Sequence, residues 1–450
     1  VGPRHRRVHR GSALEQRLPR FIAEVICSKH AFLAGLWTNE VTIARMPNRL
    51  RKIGPGAFVV AAFIGPGTVT TCTLAGANFG FGLLWAIVFA TVATIILQEM
   101  AARLGVVTQA GLGESLRSIF SDSPAKWPLF VLITLALYMG NAAYEAGNLS
   151  GAALGLQAVL DSDASVFRWF IIGISAAAGI LLWQGTYRHI ERILLALVAL
   201  MALSFVSTFA IVRPDVAALF RGMVIPTIPG GSITTVVALI GTTVVPYNLF
   251  LHAAAAREKW QGEADLKDAR TDTAISIGLG GIIAILIVST AAASFFGTGL
   301  QISGAGDMAT QFEPLFGSFS RYLLGLGFLA AGLSSAITAP LATAHVMTEL
   351  LEKEHGPSSL LFKGVGLSVI IVGAVLSLTG IKPLTIILSA QFANGLLLPI
   401  VAVFLLYAMN QKDLLGEHTN GTRANVFGIG VVLVTAGLGM WSILRATGAV

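Results

Sequence analysis

The sequence predicts an all-α polytopic membrane protein, and three observations carry that prediction. Only 12% of residues are charged and 55% are hydrophobic, with a mean hydropathy of +0.77, whereas soluble domains carry about twice that charged share. Apolar runs near the ~20 residues needed to cross a bilayer recur along the whole chain. Forty-nine glycines with few aromatics suit helices that pack closely in lipid, where small residues let backbones approach.

Eleven segments are read, at about 55 to 80, 82 to 104, 128 to 157, 167 to 184, 190 to 212, 231 to 256, 273 to 297, 320 to 351, 361 to 380, 383 to 409 and 425 to 445. The formal charge of +7 does not point to nucleic acid, because it sits in one place. Residues 1 to 52 hold eleven Lys/Arg against three acidic residues, and the remaining 398 are balanced at 19 basic and 20 acidic. A polybasic stretch before the first span is what the positive-inside rule expects of a cytoplasmic N-terminus, facing the lipid surface. With that end inside, only Arg168, Arg213, Arg221, Arg321, Lys382 and Arg445 fall outside. The expected location is a bacterial inner (plasma) membrane. The run Phe21 to Cys27 is short and interrupted by Glu24, so no cleavable signal is read there.

Two segments are broken near their middles. The first contains Gly65-Pro66-Gly67-Thr68 and the sixth Gly241-Thr242-Thr243-Val244-Val245-Pro246-Tyr247; neither run can hold continuous helical hydrogen bonds. Breaks at positions one and six predict a 5+5 inverted repeat with a small-solute pocket where they meet at mid-membrane. The expected organisation is a basic, partly disordered tail at 1–52, five-helix repeats at 53–212 and 213–410, and a loop plus helix 11 at 411–450.

Polar residues inside the spans are the functional candidates. Glu145 lies midway through the third segment, where a carboxyl is costly and marks an ion or proton path, the alternative being a neutral Glu that ties helices together. His252, one turn after Asn248, is a second proton-handling candidate, with a satisfied packing histidine as the equal alternative. Gln391 and Asn394 in segment ten and Ser334, Ser335 and Thr338 in segment eight need buried partners; for segment eight, helix-to-helix hydrogen bonding is the expected account. Glu99 and Arg103 read as an i,i+4 ion pair. Walker A, His-Glu-x-x-His, CxxC and nucleophile-elbow patterns are absent from the sequence, so neither an enzyme nor a bound cofactor is expected. Cys27 and Cys72 imply no disulfide framework.

These residues also carry a resemblance. Gly54-Pro-Gly-Ala-Phe through Gly65-Pro66-Gly67-Thr68, Leu-Gln98-Glu-Met-Ala-Ala-Arg103, Ile-Gly241-Thr-Thr-Val-Val-Pro246-Tyr247-Asn248-Leu-Phe-Leu-His252, Gly332-Leu-Ser334-Ser335 and Ser389-Ala-Gln391 resemble the natural resistance-associated macrophage protein (NRAMP) family. The resemblance covers roughly residues 53 to 445. It implies a leucine-transporter-like fold with an extra C-terminal helix, about eleven transmembrane helices in all, and secondary transport of a divalent metal with protons. The departures fall at the site: Gly65 and Thr68 replace the family's Asp and Asn, and Val245 and Tyr247 replace its Met and His. Gln391 and His252 match family positions, while Glu145 stands at a family aspartate.

Gly65, Thr68, Thr242, Val245, Tyr247 and Gln391 are therefore the expected pocket wall. Thr68 and Gln391 are the side chains left to meet a metal, and Glu145 and His252 the candidates for protons. A small organic solute such as an amino acid or amine stays open as the alternative, its carboxylate held by the N–H groups of a half-helix, as does a non-transporting sensor.

Overall fold

The computed structural model describes residues 64–185, 188–351 and 359–448, all within one unit, Gly54–Val450. The expectations for the tail, 1–52, and for the first residues of segment one lie outside the described residues. Among the described residues the regular structure is helical, and ten helical spans are long and apolar enough to cross a membrane, Ile233–Lys259, interrupted near its centre, counting as one. With the first segment, described from Ile64 onward, these match the eleven expected segments.

The helices follow the hydropathy of the chain. Those of eight residues or more are α1 (Pro66–Phe79), α2 (Leu84–Thr108), a short α3 (Leu112–Ile119), α4 (Lys126–Leu160), α5 (Phe167–Gln184), α6 (Arg188–Val212), a short α7 (Val216–Val224), α8 (Ile233–Thr243), α9 (Pro246–Lys259), α10 (Leu266–Phe295), α11 (Ser320–Leu350), α12 (Leu360–Ser377), α13 (Pro383–Ala408) and α14 (Thr422–Ala446). The short α3 and α7 escape a span-length hydropathy reading because neither can cross the bilayer. Asp215 caps α7, its carboxylate accepting from the N–H groups of Ala217 and Ala218 at 2.9 and 3.1 Å.

Both breaks have a local cause. At the start of α1, Gly65 is extended (φ −107°, ψ −176°) and Pro66 opens the helix, where its missing N–H costs nothing. Between α8 and α9, Val244 and Val245 leave the helical region with ψ of 76° and 122°. Proline forces this twice, by excluding its predecessor from helical geometry and by withholding the N–H that would have bonded the Thr242 carbonyl. A proline alone is not sufficient, because α11 and α13 run continuously through Pro340 and Pro399.

Small residues set how closely the bundle closes around α4. Gly332 of α11 lies so near α4 that an added Cβ would stand 2.7 Å from the Asn148 carbonyl, and on Gly373 of α12 it would stand 2.6 Å from Glu145 Cγ. This is the packing expected where lipid supplies no hydrophobic drive between helices.

Candidate functional site at the helix breaks

The two breaks meet. The Thr68 hydroxyl, in the first turn of α1, lies 2.8 Å from the Thr242 hydroxyl, in the last turn of α8, and both residues are buried. The neighbouring α13 is pressed against both. A Cβ on Gly67 would collide with the Gln391 side-chain amide, and one on Gly241 would collide with the Gln391 backbone carbonyl. The buried Gln391 Oε1 has no hydrogen-bond partner among the described residues. An unpaired buried amide oxygen is costly unless something occupies it.

Gly65 forms the next part of the wall. A Cβ there would stand 3.3 Å from Ser335 Oγ and 3.7 Å from the Tyr144 hydroxyl, and the Tyr144 and Tyr247 rings pack with centroids 5.8 Å apart. Val245, fully buried, is the N-cap residue of α9. Five of the six expected wall residues thus sit at or beside the crossing, and Val245 shapes the backbone there. Ser335 joins the expected wall, since its hydroxyl reaches the break, whereas Thr338, expected to bond between helices, bonds within its own helix to the Ser334 carbonyl at 3.0 Å. Tyr144 could have been found from its place beside Glu145; Ser335 could not be separated from Ser334 by sequence.

The two proton candidates stand back from this crossing. Glu145 is fully buried and turned toward α12, with Asn148 Nδ2 donating to its Oε2 at 3.4 Å and Oε1 unpartnered among the described residues. It does not face lipid. His252, equally buried, pairs through Nδ1 with Gln98 Oε1 at 2.8 Å, so it sits against α2. Between His252 and the break, both side-chain polar atoms of the buried Asn248 are without partners among the described residues. Asn394 likewise has an unpartnered Nδ2.

The site's donors are neutral. Among the described residues no group of three or more His, Cys, Asp or Glu side chains could hold a metal ion. What stands at the crossing is two hydroxyls and one amide oxygen, beside the carboxyl end of α8, which carries the helix's partial negative charge.

Ion pairs stand at both ends of α11: Arg321, in its first turn, meets Asp161 at 2.9 Å, and a larger cluster surrounds its last turn. Arg257 of α9 meets Glu114 of α3 at 2.6 Å and lies 3.8 Å from Glu349 of α11. Glu349 also accepts from the Gly113 N–H at 3.1 Å, and Arg117 donates to its carbonyl at 2.8 Å. This cluster ties the ends of α9, α3 and α11 together, and the sequence reading missed it because its members are 92 to 235 positions apart. The expected Glu99–Arg103 pair is present at 3.1 Å, and Glu99 also takes Arg270 at 2.7 Å.

Nine long apolar helices, with the interrupted α8–α9 pair and the opening of α1 meeting at a buried polar crossing, define an integral membrane protein with a leucine-transporter-like fold. The profile of the family described as "Natural resistance-associated macrophage protein-like" matches residues 56–445. A curated relative from Yersinia pestis (strain Pestoides F), named "Divalent metal cation transporter MntH", is 27% identical over 411 residues, covering 90% of this chain and 98% of the relative. The crystal structure of the Eremococcus coleocola manganese transporter superposes with a TM-score of 0.71 at 21% identity, over 88% of this chain and 86% of that one. The nucleobase-cation-symport-1 family transporter Mhp1 shares the fold at a TM-score of 0.54 and 13% identity, over 88% and 93% of the two chains. The chain belongs to the natural resistance-associated macrophage protein-like family.

Proposed function

We propose that this chain is a secondary transporter of a hard divalent cation, carried through the crossing of α1 and α8 with part of its water shell in place. Family membership and the names of the curated relatives, divalent metal cation transporters, support divalent metal as the cargo. The observation that carries the reading further is the donor set, neutral among the described residues: the Thr68 and Thr242 hydroxyls 2.8 Å apart beside Gln391 Oε1, which has no hydrogen-bond partner among them. Mn²⁺ and Fe²⁺ bind best where carboxylate, imidazole or thioether replaces water, and among the described residues none of these stands at the crossing. Mg²⁺ gives up its water reluctantly and accepts hydroxyl and carbonyl oxygens around a retained shell. Hence Mg²⁺ should be carried at least as well as Mn²⁺.

Glu145 and His252 are assigned to proton handling in this scheme, since both are ionisable, buried and within the two helices that flank the crossing. The N-terminus is assigned to the cytoplasm of a bacterial cell on the charge bias of the loops. The Arg257, Glu114 and Glu349 cluster then lies at the cytoplasmic end.

The test is uptake into proteoliposomes of Mg²⁺, Mn²⁺ and a pooled set of labelled amino acids and amines, with and without an inward proton gradient. Saturable Mg²⁺ flux that is equal to or above Mn²⁺ flux is the expected result. Flux of an organic solute without any metal flux overturns the proposal and makes the neutral pocket an organic site.

A further inference from the structure

On the lipid-facing side of the bundle, α5 and α12 do not close completely. Between them lies a groove of ≈ 570 Å³ lined by Gly179, Ile180, Trp183, Leu367, Ile371 and Val375, among others. Its walls are almost entirely apolar. Small residues make it: Gly179 and Ala176 on α5 leave the floor low, while Gly366 lets α12 approach so closely that an added Cβ would stand 2.9 Å from Leu182. Along α5 the groove runs from Gln184 to Ser175 and along α12 from Leu367 to its C-cap residue, Leu378. At 1.5 Å per residue these are ~14 and ~16 Å, about half of a ~30 Å hydrocarbon core and therefore the depth of one leaflet.

One end of the groove is charged. The Lys363 ammonium, in the first turn of α12, lies 4.9 Å from the centroid of the Trp183 ring, which forms the groove's end wall. Among the described residues Lys363 has no carboxylate partner. A tryptophan and a lysine at a helix end are the usual furniture of the membrane interface, the ring at headgroup depth and the ammonium reaching for phosphate.

We propose that this groove is a binding site for an anionic phospholipid, one acyl chain lying between α5 and α12 and the phosphate paired with Lys363. A zwitterionic lipid fits the apolar part equally well but carries a second, positive headgroup charge that repels the lysine. The occupant touches the bundle where it matters, because α12 packs its Gly373 directly on Glu145.

The experiment uses the full chain in nanodiscs doped with phosphatidylglycerol or phosphatidylcholine carrying a diazirine in one acyl chain, followed by photolysis and peptide mapping. The mapping separates the groove from anionic lipid gathered by the basic residues of 1–52. The expected result is labelling of 175–184 and 367–378 with about fivefold preference for phosphatidylglycerol, the ratio that ~1 kcal/mol from one interfacial lysine gives. Lys363→Gln should abolish the preference, Lys363→Arg should keep it, and Ala176→Trp should remove labelling by both lipids. Equal labelling by the two lipids in the wild type, or a preference that survives Lys363→Gln, overturns the proposal.

Discussion

Thr68 and Thr242 touch hydroxyl to hydroxyl across 174 positions of sequence, at 2.8 Å, and so join the amino end of α1 to the last turn of α8. If these oxygens meet the transported ion, replacing one by a methyl of the same size removes a ligand without changing the packing. Thr68→Val should lower the initial rate of metal uptake by about tenfold, the effect of ~1.4 kcal/mol, while Thr68→Ser retains most of it. Uptake by Thr68→Val equal to the wild type would remove the hydroxyl from the site.

A second prediction is a gain. Gly65 has φ −107°, open to any residue, and an added Cβ meets nothing nearer than Ser335 Oγ at 3.3 Å. Gly65→Asp should therefore fold, with a small shift of Ser335, and supply the carboxylate the crossing lacks. Mn²⁺ affinity, measured by calorimetry on purified protein, should rise by an order of magnitude or more. An unchanged Mn²⁺ affinity in a folded variant would mean that the crossing does not hold the ion.

The two glycines that face Gln391 should fail in different ways. A Cβ on Gly67 collides with the end of a flexible side chain, one on Gly241 with backbone carbonyl and amide groups of α13. Gly67→Ala should keep its thermal midpoint within a few degrees but lose most uptake, because Gln391 must swing away. Gly241→Ala forces two helices apart and should lose 1–3 kcal/mol or more, seen as a lowered melting temperature and poor yield. Similar melting temperatures for the two variants would count against this account of the α8–α13 contact.

Glu145→Gln is nearly isosteric and keeps an acceptor for Asn148, which donates to the carboxylate at 3.4 Å in the wild type. Wild-type uptake should rise as the external solution is acidified against a neutral lumen. In Glu145→Gln that acceleration should disappear, leaving gradient-independent flux. A variant that still responds to the proton gradient would assign coupling elsewhere, His252 first.

Much of this architecture was legible in sequence because its causes are local. The expected span at 167 to 184 coincides with α5, and the breaks fall at Gly65-Pro66 and Val245-Pro246. Proline's missing N–H and glycine's missing Cβ act wherever the chain goes. Ser335 and the Arg257–Glu114–Glu349 cluster were not legible. In a soluble helix the apolar stripe marks the buried face, but in lipid the outer face is as apolar as the inner one, so the pattern that would tell which serine points inward is largely erased.

The sequence by itself determined that this is a bundle of about eleven membrane helices, two of them broken, with a carboxyl and an imidazole buried in the spans. Those follow from hydropathy and from backbone chemistry within a few residues. Only the tertiary structure decided that Thr68 meets Thr242, that Gly67 yields its space to Gln391 and that Glu145 lies against α12. Such facts depend on the rotation of each helix about its axis, which is fixed by packing between segments far apart in the chain and by no residue on its own.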